Sequence, residues 1–114
     1  MSIAAQIAEK RDEKRRVISI PEWGDDDAPM QLYSGPITAG DINKLQRKHK
    51  DFLANQTIDA MVDLIILKAE TKDGEKAFTL EDKPTLMREP LNTISTLAAQ
   101  MFGDVESIEE HEKN

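Results

Sequence analysis

The side chains able to do chemistry in this sequence are few, and their spacing suits it poorly. The two histidines, His49 and His111, stand far apart. His49 falls on the side of its segment that also carries Leu45, Phe52 and Leu53. That position predicts a packed or partly exposed ring, because no nucleophile motif lies near it. Ser19, Ser34, Ser95 and Ser107 lack the glycine pattern of a nucleophile elbow. Asp25-Asp26-Asp27 is the densest acidic cluster and has the charge to attract a divalent cation. It lacks the alternate spacing and closing glutamate of a calcium loop, so it reads first as a solvated turn. Asp73-Gly74-Glu75 reads the same way. The absence of cysteine excludes disulfides and thiolate metal sites. Gly24, Gly35, Gly40, Gly74 and Gly103 are scattered and form no phosphate-cradling loop. The expectation is a protein that is not an enzyme, with no catalytic, cofactor-binding or metal-binding residues.

Charge points the same way. There are 22 acidic and 15 basic side chains, a formal charge of −7. Phosphate affinity comes from lysine and arginine, so this balance disfavours nucleic acid as a partner. The basic clusters Lys10-Arg11-Lys14-Arg15-Arg16 and Lys44-Arg47-Lys48-Lys50 have acids nearby and read as solvated helix faces. No apolar run approaches the roughly 20 residues of a bilayer span, and no basic segment precedes an apolar one at the start. An intracellular, soluble chain with no membrane partner is expected.

The elements that would position any site can be read from periodicity. Ser2 to Arg16 favours helix, but its apolar content is limited to Ile3, Ala4, Ile7 and Ala8. This predicts an arm that frays, or that docks on another chain through Ile3 and Ile7. Val17, Ile18 and Ile20 are β-branched and Pro21 closes that segment. Met30 to Tyr33 is the matching alternation, so a hairpin is predicted with a loop over 22–29. A lone hairpin is barely stable, so it must lie on the helices, with Trp23 as its anchor.

Thr38-Ala39-Gly40-Asp41 has the form of a capping box. The stretch from Asp41 to Thr71 is the densest helical and apolar segment, read as one helix or as two with a second start at Asn55. Ile58, Met61, Val62, Ile65 and Ala69 form its stripe, widened by Leu64, Ile66 and Leu67, until only Asp63 and Lys68 plainly face water. Asp73-Gly74 marks a turn, and Thr79 to Asp82 opens a short helix with Pro84 in its first turn. Leu86 and Met87 are its inner side. Pro90 starts the last helix, in which Leu91, Ile94, Leu97, Ala98, Met101 and Phe102 share a face and Gly103 marks the end.

At 114 residues the chain has room for one modest core. The predicted class is α+β, mainly α: a small helical domain with a short N-terminal β-hairpin packed on the helices. Residues 1–15 form a helical arm, 16–103 the single domain with its hairpin at about 16–34, and 104–114 a disordered acidic tail. Binding through surfaces remains. Trp23 and Tyr33, the only Trp and Tyr, are candidate anchors, although Trp23 could equally pin the loop to the core. With Ile3, Ile7, Leu86 and Met87 they make up the candidate partner-binding residues.

Several marks in order resemble the tail assembly chaperones of long-tailed bacteriophages and prophages. They are a charged N-terminal helix running into a short strand and Pro21-Glu22-Trp23-Gly24, then Asp73-Gly74-Glu75 with Phe78-Thr79-Leu80-Glu81-Asp82 after it. A last helix ending in Met101-Phe102-Gly103 and an acidic tail complete the series, which covers about Arg16 to Gly103. The resemblance implies a small, mainly helical, non-catalytic protein of the bacterial cytoplasm that binds the tape-measure protein during tail assembly and is absent from the finished virion. In many such relatives a ribosomal frameshift adds a second domain that contacts the tail-tube protein, which makes that protein a second implied partner. Homo-oligomerisation is left open. Compared with the usual pattern, the loop Gly24–Pro29 is unusually acidic and contains proline. Two readings from other classes stand beside this one. An acidic inhibitor or decoy would bind a basic host DNA-binding protein, although its acids here are interrupted by basic clusters. A structural head–tail joining protein would be found in virions.

Overall fold

A computed structural model describes residues 2–25 and 27–102. Its backbone is mainly helical, with a two-stranded antiparallel hairpin near the N-terminus that packs on the helices. The order is α1 (Ile3–Glu13), β1 (Arg16–Asp25), β2 (Ala28–Ser34), α2 (Ala39–Lys48), α3 (Ile58–Lys68), a 3-10 turn (Leu80–Asp82), α4 (Lys83–Met87) and α5 (Leu91–Lys113), whose described part ends at Phe102. The expected stop at Gly103 and the disordered tail over 104–114 lie outside the described residues.

The hairpin register pairs Val17 with Tyr33, Ile18 with Leu32 and Ile20 with Met30. Ile18, Ile20, Leu32 and Ser34 are buried against the helices, while Val17 and Ser19 point outward. The strands run further than expected: β1 continues through Pro21 to Asp25, which pairs with Ala28, so the long loop over 22–29 is a correction. Proline fits because the register shifts between Ile20 and Asp25, where a missing ladder donor costs little. Gly24 makes the shift feasible. A Cβ there would lie 2.3 Å from the Ala28 carbonyl oxygen and 2.6 Å from the Met30 nitrogen, so only glycine fits.

The Asp41–Thr71 stretch resolves into two helices. The Thr38 hydroxyl accepts from the Asp41 amide at 3.0 Å and the Asp41 carboxylate accepts from the Thr38 amide at 2.9 Å, the reciprocal cap that starts α2. α2 ends at His49, and α3 starts from Thr57 rather than Asn55, its hydroxyl accepting from the Ala60 amide at 3.1 Å. Ala60, Val62, Leu64, Ile65 and Ile66 of α3 are buried. They pack chiefly against α5, whose Ile94, Leu97, Ala98 and Met101 fill the other half of the core, closed by the Phe52 and Phe102 rings at 5.3 Å. Two apolar positions fall outside the expected stripes. Ile58 and Leu91 are exposed because each begins its helix, before the helix axis has brought that face under its neighbours.

Between α3 and the 3-10 turn the chain doubles back. Glu70 bridges to Tyr33 of β2 and to Lys76, and Gly74 takes a φ of +88°, the left-handed conformation that the Asp73-Gly74 turn requires. At the start of the 3-10 turn the Thr79 carbonyl accepts from the Asp82 amide at 3.0 Å and the Asp82 carboxylate accepts from the Thr79 amide at 2.9 Å.

Candidate functional site

Two places gather side chains beyond ordinary core packing: a charged cluster between α2, α3 and α4, and an apolar groove between β2, the 71–80 segment, α2 and α3.

The cluster centres on Asp63. Its Oδ2 accepts from His49 Nε2 at 2.7 Å and lies 3.2 Å from Lys48 Nζ. Lys83 Nζ sits 2.9 Å from Asp63 Oδ1 and 2.6 Å from Asp59 Oδ1. Asp63 and Lys68, expected to face water, are therefore corrections: the Asp63 side chain is only 11% exposed, and Lys68 ion-pairs with Asp41 at 2.7 Å. An acid on a helix this apolar is tolerated because two ammonium groups and the His49 ring meet it. Burial opposes ionisation of Asp63, but the bonds from His49, Lys83 and Lys48 outweigh it and hold its carboxyl below the usual carboxylate range. The Lys83 ammonium lowers Asp59 in the same way. For Lys83, burial works against the charge and the two carboxylates overcome it, so its value is raised.

His49, Asp59 and Asp63 are the described residues that could hold a metal, since one ligand atom from each lies within 4.8 Å of the others. The carboxylate oxygens that would grip it already grip Lys83. The cluster's evident chemistry is mutual neutralisation, which ties the end of α2 and the start of α4 to α3. The sequence carried a faint sign of it, in Asp59 and Asp63 four apart on one face of α3 and the Lys48-His49 pair at the end of α2.

The groove is the second place. It consists of two adjoining hollows, one lined by Met30, Leu32, Tyr33, Lys72, Ala77 and Phe78, the other by Lys44, Leu45, Asp63, Ile66, Leu67, Lys76 and Leu80, with Phe78 common to both. Leu80, on the 3-10 turn, is 74% exposed. Trp23 supports this surface from the side, its ring edge-on to Phe78 at 6.1 Å and its indole N–H donating to the Glu89 carboxylate.

The candidate partner residues divide. Ile3 and Ile7 are 75% and 60% exposed on α1. Trp23 is half-buried and pins β1 to the core region. The Tyr33 ring is covered by the Arg15 guanidinium at 4.5 Å, although the residue still lines the groove. Leu86 is a correction: at 3% exposure it belongs to the core and is closed to a partner. Met87, expected beside it on the inner side, faces solvent, because a five-residue helix has too few turns to bury both neighbours. Sequence reasoning missed Leu80, Phe78 and Lys76 as groove residues. Phe78 stood out as an isolated large apolar residue, but nothing local said that it would floor a groove.

No family model, curated protein or solved structure matches the chain. No helix among the described residues is long and apolar enough to cross a membrane.

Proposed function

We propose that this protein is a non-catalytic tail assembly chaperone of a long-tailed phage or prophage. It binds the tape-measure protein in the bacterial cytoplasm while the tail is built and leaves before the virion is complete. The observation that carries the reading is the pair of open apolar hollows that meet at Phe78, one beside Leu32 and the other beside exposed Leu80. A folded domain that keeps Leu80 and Met30 in water, beside a concave apolar floor, has surface to spare for another polypeptide. The order of motifs shared with such chaperones supplies the identity of that polypeptide, a long amphipathic helix that would aggregate alone. The net charge of −7 keeps the pair dispersed.

The placed acids weigh against the decoy reading. Asp41, Asp59, Asp63 and Glu70 are each paired with the chain's own cations and are not presented as an acidic array. Coexpression with the cognate tape-measure protein tests the proposal. The tape-measure protein should become soluble and copurify, and Leu80→Asp should abolish the copurification. Failure to copurify at low salt would remove the reading.

A further inference from the structure

The groove is apolar on its floor and carries three lysines on its rim; the one acid that lines it, Asp63, is already held by Lys48 and Lys83. Lys44 of α2 and Lys76 of the doubled-back segment line one half, and Lys72 lines the other. All three are exposed, and none has an ion-pair partner among the described residues. Other cations behave differently: Lys48, Lys68, Lys83 and Arg15 are each held by a carboxylate. On a chain that carries seven more acids than bases, unpaired ammonium groups beside exposed Leu80 and half-buried Phe78 mark out a surface of opposite sign to the whole.

The geometry points to an amphipathic helix with acidic flanks as the occupant of this groove: a leucine-rich or isoleucine-rich stripe against Phe78 and Leu80, with Glu or Asp on either side meeting Lys44, Lys72 and Lys76. The inference rests on the groove being the partner site proposed above and adds the chemistry by which it selects. A helix suits the groove because half-buried Leu67 and Phe78 and exposed Leu80 leave apolar surface open along it, while Leu45 and Ile66 beneath them belong to the core. Acidic flanks are required by complementarity, which sets specificity and association rate more than raw affinity. An anionic lipid surface fits the lysines, but the net charge of −7 repels it.

The test uses the full chain and two synthetic peptides of about 20 residues, long enough for a stable amphipathic helix. Both carry the same apolar stripe, one flanked by glutamate and the other by lysine. Calorimetry should find the glutamate peptide about tenfold tighter, from a few exposed charge pairs. The margin should shrink when salt rises from about 50 mM to about 300 mM, as screening shortens. The triple variant Lys44→Glu, Lys72→Glu, Lys76→Glu should reverse the preference, and Leu80→Asp should weaken both peptides while leaving the thermal melt unchanged.

Equal affinity for the two peptides would overturn the charge selection and leave the chaperone reading standing. Binding as expected, without copurification of the tape-measure protein, would do the reverse. Binding of neither peptide overturns the inference, as does self-association that Leu80→Asp abolishes, or tight binding to phosphatidylglycerol vesicles. The last two would assign the groove to a second copy or to lipid.

Discussion

Helices α1 and α3 are both 11 residues long and begin alike, yet they end in opposite places. Ser2 caps one and Thr57 the other, each hydroxyl accepting from an amide three residues on at 3.1 Å. α3 buries five side chains, and α1 buries none. The cap starts a helix in either case, but only α3 has the apolar rows that let a second helix hold it. α1 is tethered to the domain through Arg15, just past its C-terminal end. Arg15 meets the Glu70 carboxylate at 3.0 Å, donates to the Lys72 carbonyl at 2.9 Å and lies over the Tyr33 ring. The domain thus keeps one part for its own stability and leaves others, the Ile3–Ile7 stripe and the Phe78–Leu80 groove, without a use inside the chain.

The contrast can be broken most forcefully from the α3 side. Leu64→Ala or Ile65→Ala, each at a fully buried position, should cost about 2 to 5 kcal/mol in urea unfolding. A loss below about 1 kcal/mol, the size expected of a surface change, would mean that the α3–α5 interface is not the core. Asp63→Ala comes next, at about 2 to 4 kcal/mol, because it strands Lys83 and His49 in a nearly enclosed site. Asp59→Ala, half exposed and paired only at its edge, should stay within about 1 kcal/mol.

The same acids set the acid limit. Asp41, Asp59 and Asp63 all have folded-state values below their unfolded ones. Their stabilisation is therefore complete above the ordinary carboxylate range and is lost as pH falls through the lowered values. Denaturant midpoints should drop below about pH 4 as these carboxylates are protonated. A drop already complete by pH 5 would contradict the lowered values. The smallest effect belongs to α1: removing residues 1–13 should change stability by no more than about 0.5 kcal/mol. A larger loss would show that the arm packs on the domain.

How much of this the sequence disclosed depends on how local each signal was. The Thr38–Asp41 cap, the Gly74 turn and the α5 face are written within a few neighbouring residues, and all were legible. So was the hairpin, whose β-branched Val17–Ile20 and alternation in Met30–Tyr33 each need only one strand at a time. The features that escaped depend on partners far along the chain. Asp63 and Lys68 were read as solvent-facing because their spacing on α3 says so, but the ions that cover them come from α2 and from Lys83. Leu86 and Met87 are adjacent and similar in type, and only the position of α3 decides which is buried. The groove is less legible still, since it exists only where four separate segments fail to meet.

The central proposal is that a partner binds in that groove. Amide hydrogen exchange on the copurified complex with the tape-measure protein measures this most directly. Slowed exchange in β2 around Gln31–Tyr33, in Lys76–Leu80 and in α2 near Leu45, with the surface of α4 unchanged, is the predicted result. Protection confined to α1, or to the His49–Asp63 cluster, while residues 76–80 exchange as in the free protein, would contradict it.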